Sequence, residues 1–471
     1  MKCNLPNRKS GHETPEEEVQ ARQALANNIA KIMKIIYRLL KPLVAYLPDP
    51  RDQRYITYPK EALFLYGVMM FSMRASSRRD ANHFMTEPFM QKNLESVIPG
   101  LVGIAHNDTL AKYLKRIDPE VIQDIYHMLI KKLLRNKEFM RMVGKYKILV
   151  DGSGKDSKDW KYSSKALHRK SHNGEVWLTY VMDASLVLEN GMLIPLCTEF
   201  LENTGRDFDK QDCETKAWYR IAKTIHKLVG NAATIILDGL YASGPIIMKC
   251  KSYGWDYIIT LKDGSMPSFT EDAHGIMKSE PSNSVTTELD NRRQEIKWAN
   301  NVEHMISANH TYIGLNVVRM EESWVEYHPI TGKEPEFRTT VYQFISSVPL
   351  NHANAQDICM IGRERWFIEN NFKTEKHGGY GFEHCYSLDW DVNKAYHYFM
   401  KFGHFLNVLI MSSEDMTEIV SALGISGFLN KMRLVFSGFV LCADTIRAAV
   451  ALPFRWRLNP ASIYNQGTSS P

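Results

Sequence analysis

The sequence predicts an α/β protein, a core of strands and helices bracketed by helical segments and interrupted by a β-rich insertion. Three observations lead there. Up to residue 145 the apolar residues recur at helical spacing. From Tyr146 onward, short apolar runs of β-type composition alternate with amphipathic stretches. Residues 263–348 then read as alternating segments such as YIGLNVVRM and TTVYQFISS. The expected organisation is a helical, basic region over 1–145 and a core built from 146–262 and 349–390. The insertion occupies 263–348, a helical C-terminal region 391–458, and a polar, turn-rich tail, read as disordered, 459–471.

The elements follow in order. Residues 14–41 read as a helix, with Thr14 to cap it, Pro15 in its first turn and Glu16 to Glu18 at its positive end. Pro42 should kink or end it. A very apolar helix follows over about 60–76, a third begins near Asp108, and a fourth runs from Pro119 to about Met142. KILVD, Lys147 to Asp151, is the first strand, and residues 175–187 and 192–200 flank the hairpin signal Asn190-Gly191. A helix over about 210–229, the strand TIILD ending at Asp238, a helix over 243–252 and the strand from Trp255 to Leu261 complete the core. Helical character returns from about Ile358 to Lys376 and again over 391–455. Asp151 and Asp238 thus end the first and fourth strands, where open α/β sheets present their ligands. That order resembles the RNase H-like fold.

Composition narrows the function classes. With 44% hydrophobic and 24% charged residues, the chain has the make-up of a soluble globular protein. The apolar stretch Leu434 to Phe454 is broken by Asp444 and Arg447, against a membrane span. Seven scattered cysteines without a CxxC pair suit reduced thiols in the cytoplasm. The net charge of +5 is unevenly spread, since 24 Lys and Arg against 15 Asp and Glu precede Lys147. Such a basic region suits phosphate contacts, or equally a set of solvated helix faces. Gly152-Ser153-Gly154 is too short for a phosphate-cradling loop, so ATP is not expected. His377, His384 and Cys385 lack the paired spacing of a zinc site.

Phosphodiester chemistry needs an activated oxygen nucleophile and a stabilised leaving oxygen. Carboxylates from separate elements, holding two hard divalent ions, provide both. Asp151 and Asp238 are two such groups, and GRERWFIENNFKTEK, Gly362 to Lys376, offers a third in Glu369. At about 100° per residue, Arg365, Glu369 and Lys376 fall within roughly 40° of one another on one helix face. On an isolated helix the Arg365–Glu369 spacing is equally an ordinary surface ion pair.

The segment resembles the bacterial insertion-sequence transposases of the DDE type, whose third acid lies in a Tyr-x2-Arg-x3-Glu-x6-Lys signature. Arg365, Glu369 and Lys376 match that spacing, while Gly362 stands at the tyrosine position. Asp151-Gly152, DGLYAS from Asp238, KQDCE from Lys210 and RERWFIENNFKTEK from Arg363 to Lys376 carry the rest of the resemblance. The family implies metal binding, by two Mg2+ or Mn2+ ions, at Asp151, Asp238 and Glu369, with phosphate contacts at Arg365 and Lys376. It implies double-stranded DNA as partner, both terminal inverted repeats and target, engaged by a homodimer on paired ends. A cytoplasmic protein, nucleoid-associated when bound to DNA, is expected. Lys155, Lys158 and Lys161, interleaved with Trp160 and Tyr162 in a basic loop after Asp151, are further candidate DNA contacts. Trp298, or Trp324, could stack a displaced base, though packing is the commoner role for either. Arg74, Arg78 and Arg79 could read the repeat or equally be solvated charges, and Asp212 and Glu214 could support the acids or simply sit on a helix surface. The competing readings are a catalytically silent, transposase-derived DNA-binding protein and another RNase H-like nuclease.

Overall fold

The computed structural model describes residues 14–99, 101, 103–135, 145–172, 174–203, 211–262, 264–307, 311–328, 333–438 and 441–452. The chain divides into two compact units, Met1–Glu138 with Thr374–Pro471, and Phe139–Lys373.

The first unit opens with α1 (Pro15–Val44), which Thr14 caps by accepting from the Glu17 N–H at 3.2 Å. Pro42 lies in its last turn, where losing one backbone bond does not stop the helix. α2 (Lys60–Ser72) follows, then α3 (Arg78–Phe84) and α4 (Pro88–Val97), two short helices that the periodicity did not resolve. α5 (Asn107–Leu114) and α6 (Glu120–Arg135) end the run. Arg74 and Arg78 are engaged within this unit, Arg74 with Asn430 and Arg78 with Asn107 and Asp108.

The second unit is mixed α/β, consistent with an RNase H-like domain. Its strands are β1 (Tyr146–Lys158), β2 (Leu167–Ser171), β3 (Gly174–Val187), β4 (Leu193–Leu201), β5 (Ala233–Leu237) and β6 (Asp256–Thr260). Helix α7 (Glu214–Val229) precedes β5 and α8 (Gly244–Ser252) precedes β6. After α9 (Pro267–Ser279) come β7 (Ser284–Leu289), β8 (Arg292–Ser307), β9 (Thr311–His328) and β10 (Lys333–Ser346). All ten strands make one sheet in the order β2-β3-β1-β5-β6-β10-β9-β8-β7, with β4 also paired to β3. Among the described residues only β1/β5 and β5/β6 pair in parallel. Because β10 pairs with β6, β7–β10 continue the core sheet instead of standing apart from it.

Two helices, α10 (Ala355–Arg363) and α11 (Trp366–His377), replace the single helix expected over 358–376. The turn at Glu364 and Arg365 separates them, and the last turn of α11, from Thr374, belongs to the first unit. α10 lies on the face of β8–β10 that carries Ile296, Trp298, Val318, Met320 and Phe344, all buried. Its close approach depends on Gly362, where a Cβ would stand 2.6 Å from the Phe344 ring.

In the first unit, α12 (Trp390–Met411) is buried on nearly every side and packs on α2, with Phe64 edge-on to Phe399 and Phe402. α13 (Thr417–Gly438) and α14 (Ala443–Ala451) complete the described chain. By length and composition alone, Glu414–Gly438 could cross a membrane. Gly424, at φ 68° in the left-handed region, breaks that segment into shorter helices. The tail assigned to 459–471 lies outside the described residues.

Candidate active site

Asp151 stands where β1 stops pairing with β5. The last parallel pair is Val150 with Leu237, so Asp151 and Asp238 are the next residue on each strand. The strand itself does not end there, contrary to the sequence reading. β1 runs on to Lys158 because β3 pairs with it antiparallel as far as Trp177. Much of the supposed basic loop is therefore a hairpin arm.

Arg365 joins the three acids. Its guanidinium lies 3.7 Å from Asp151 Oδ2, 3.6 Å from Asp238 Oδ1 and 2.9 Å from Glu369 Oε1. The side chain is 9% exposed and rests over the Trp366 ring at 4.6 Å. Arg365 comes from the turn before α11, and the i,i+4 pair with Glu369 that the spacing predicts is formed. Lys376 pairs with Glu383 at 3.2 Å within the first unit.

The two aspartates differ in environment. Burial pushes the Asp151 carboxyl up to about 6, against the relief supplied by the Gly152 N–H and Arg365. Burial also acts on Asp238, but a 2.7 Å bond from Lys262, the Gly239 N–H and Arg365 outweigh it and hold that carboxyl below its ordinary range. Lys262, just past β6, was not singled out from the sequence. Its signal was position, since strand C-termini border the site in an open α/β sheet.

Glu214, at the start of α7, accepts from Tyr180 Oη at 2.7 Å and from Tyr241 Oη at 3.0 Å. Its carboxyl carbon lies 3.0 Å from where a Gly152 Cβ would be, next to the residue that follows Asp151. Asp212 instead pairs with Arg220 at the other side of that turn, at 2.6 Å.

The residues suit a divalent ion by donor chemistry and by one direct observation. All three acids offer hard oxygen donors. Asp238 Oδ1 is buried with no hydrogen-bond partner. Among the described residues no three His, Cys, Asp or Glu side chains are grouped closely enough to hold a metal as they stand. The Arg365 guanidinium, bridging the acids, supplies the positive charge that an ion would bring.

The remaining candidates divide. Lys161 is exposed with its ammonium 5.2 Å over the Trp177 ring, Lys158 lies 5.8 Å over Tyr162, and Trp160 is 50% exposed. Lys155 and Trp298 are corrections. A β-bulge between Gly154 and Asp156 shifts the register of β1, and Lys155 is 2% exposed. Trp298 is 1% exposed, edge-on to His352 in the core under α10, and offers no face for a base. Trp324 is covered by the Arg292 guanidinium at 4.2 Å.

Three carboxylates, from two adjacent strands and the helix that follows, thus meet one guanidinium on a mixed α/β sheet. The chain belongs to the transposase DDE domain family, whose model matches residues 156–403, more than half its length. The match takes in Asp238 and Glu369 and begins just after Asp151. No curated protein matches the chain.

Proposed function

We propose that this protein is a DNA transposase that cuts at the ends of its element and joins those ends to target DNA. Asp151, Asp238 and Glu369 would hold two divalent ions, Mg2+ or Mn2+, on an RNase H-like core formed by 146–262 and 349–390, with 263–348 as its insertion. The convergence of the three carboxylates on the single guanidinium of Arg365 carries this reading. Bound there, the ions would supply an activated oxygen nucleophile and stabilise the leaving oxygen.

The chain's own groups do the rest. Asp151, its carboxyl raised to about 6 by burial, is ionised at neutral pH only at a cost that a bound cation would relieve, whereas Lys262 favours the ionised form of Asp238. Arg365 exchanges its carboxylate partners for the scissile phosphate, where its planar fork opposes the developing charge. Lys158, Lys161 and Trp160, on the arm beyond Asp151, take the DNA backbone and an unstacked base. Both ends of the element must be cut and joined, which suits two copies of the chain on paired ends.

The test uses a plasmid carrying the gene with its natural flanking DNA, incubated with the protein and Mg2+. Cutting at the element ends by the wild type but not by Glu369→Gln supports the reading. Binding without cutting by either protein refutes it in favour of a silent DNA-binding protein. Cutting without preference for the ends points to a general nuclease.

A further inference from the structure

The turn between α10 and α11 carries Arg365 and leads into Glu369, so whatever fixes this turn fixes half of the acidic site. Its three successive side chains are anchored to different parts of the sheet. Arg365 reaches Asp151 within β1 and Asp238 just past β5, and Glu364 accepts from Lys147 at the start of β1. Arg363 reaches out to β9, donating to Glu322 Oε1 at 3.0 Å.

Glu322 is 1% exposed, yet fully provided with partners. Besides Arg363 it accepts from Gln294 Nε2 and from Arg292 Nη1, each at 2.9 Å. Gln294 in turn accepts from Gln356 on α10 at 3.1 Å. The two arginines are braced on rings, Arg363 over Tyr342 at 4.7 Å and Arg292 over Trp324 at 4.2 Å. The buried Glu322 carboxylate, held by charge-assisted bonds from two guanidiniums and an amide, fixes the direction in which Arg363 leaves α10, and its loss would leave both guanidiniums without their anion. The neighbouring face is apolar, and the Gly362–Phe344 contact beside it admits little sliding.

We propose that Glu322 is a positioning residue, which through Arg363 ties β7–β10 to the α10–α11 turn and so sets Arg365 and Glu369 against the two aspartates. This rests on the transposase reading for its consequence in catalysis, but the tether itself is a property of the fold. It assigns β8 and β9 a part in assembling the site although neither strand supplies an acid to it.

The test compares Glu322→Gln, Arg363→Gln and Arg292→Gln in the full chain. Arg292→Gln removes a cation from the same carboxylate without touching the turn, and Arg363→Gln serves if Glu322→Gln does not fold. Amide hydrogen exchange is followed over residues 360–369, with β1 and β5 as internal references. End cutting of the plasmid described above is measured in parallel. Glu322→Gln and Arg363→Gln should each speed exchange over 360–369 about tenfold and lower kcat about tenfold with the KM for DNA unchanged, the range seen for groups that orient metal ligands. The double variant should be no worse than either single one, and Arg292→Gln should stay within about twofold of wild type. Unchanged exchange over 360–369 in Glu322→Gln and Arg363→Gln would overturn the tether. So would equal acceleration in β1 and β5, or an Arg292→Gln effect as large as that of Glu322→Gln. A wild type that never cuts refutes the catalytic reading, while the exchange data still decide the tether.

Discussion

Replacing Asp151 by Asn should stabilise the metal-free protein, and by an amount the structure sets. The Asp151 carboxyl is lifted from 3.8 to about 6, chiefly by burial. At about 1.4 kcal/mol per unit, keeping this group ionised in the fold costs about 3 kcal/mol at neutral pH. The net rise already includes the help of the Gly152 N–H and Arg365, and Asn retains the first through its side-chain oxygen. Since the folded value is raised, the folded protein binds more protons than the unfolded chain between pH 4 and 6. Stability therefore falls as pH rises through that window, and the penalty is complete above it. Unfolding of wild type and Asp151→Asn in the presence of EDTA, at several pH values from 4 to 8, checks this. The two should coincide near pH 4 and separate by about 2–3 kcal/mol at pH 7 in favour of Asn. Mg2+ should reverse the order at pH 7 by stabilising the wild type alone. A variant less stable than wild type at pH 7 without metal, or a difference independent of pH, would refute the reasoning.

Four further outcomes are expected. Arg365→Gln removes the cation shared by three carboxylates and should cost about 3 kcal/mol without metal, with a larger Mg2+-induced rise in Tm than the wild type shows. Gly362→Tyr should cost at least about 1–3 kcal/mol by driving into Phe344, and Phe344→Ala in the same chain should recover part of it in denaturant unfolding. In the first unit Glu375 is buried, and although burial opposes ionisation, Lys401 and His404 hold its carboxyl well below its ordinary value. Its contribution is present above about pH 4.5 and lost as pH falls further, so Glu375→Gln should flatten the acid limb of a stability–pH curve. Replacing Lys158 and Lys161 together by Ala should lower the slope of log binding constant against log salt by about 2, measured on duplex DNA.

Much of the core could be read in advance because local chemistry and tertiary role agree there. KILVD and TIILD are apolar runs that end in acid, and the hairpin at Asn190-Gly191 is declared by its turn residues. The helix break at Glu364 and Arg365 was not legible. Nothing in ERWFIENN is a helix breaker, and the three successive side chains at the break meet partners in three parts of the sheet, far away in sequence. Lys155 and Trp298 misled for a related reason. Their residue types suit DNA, but a register shift and a covering helix, both long-range features, leave them buried.

The three acids, then, belong to the sequence. The apolar runs that lead into the two aspartates and the Arg-x3-Glu spacing follow from neighbours along the chain, and Asp238 and Glu369 lie within the family match. Tertiary structure decided what surrounds them. Arg365 bridges all three, Lys262 separates Asp238 from Asp151 in proton affinity, and Glu322 holds the turn from a distant strand. These depend on side chains far apart in sequence meeting at low dielectric, where one pairing outweighs local preference.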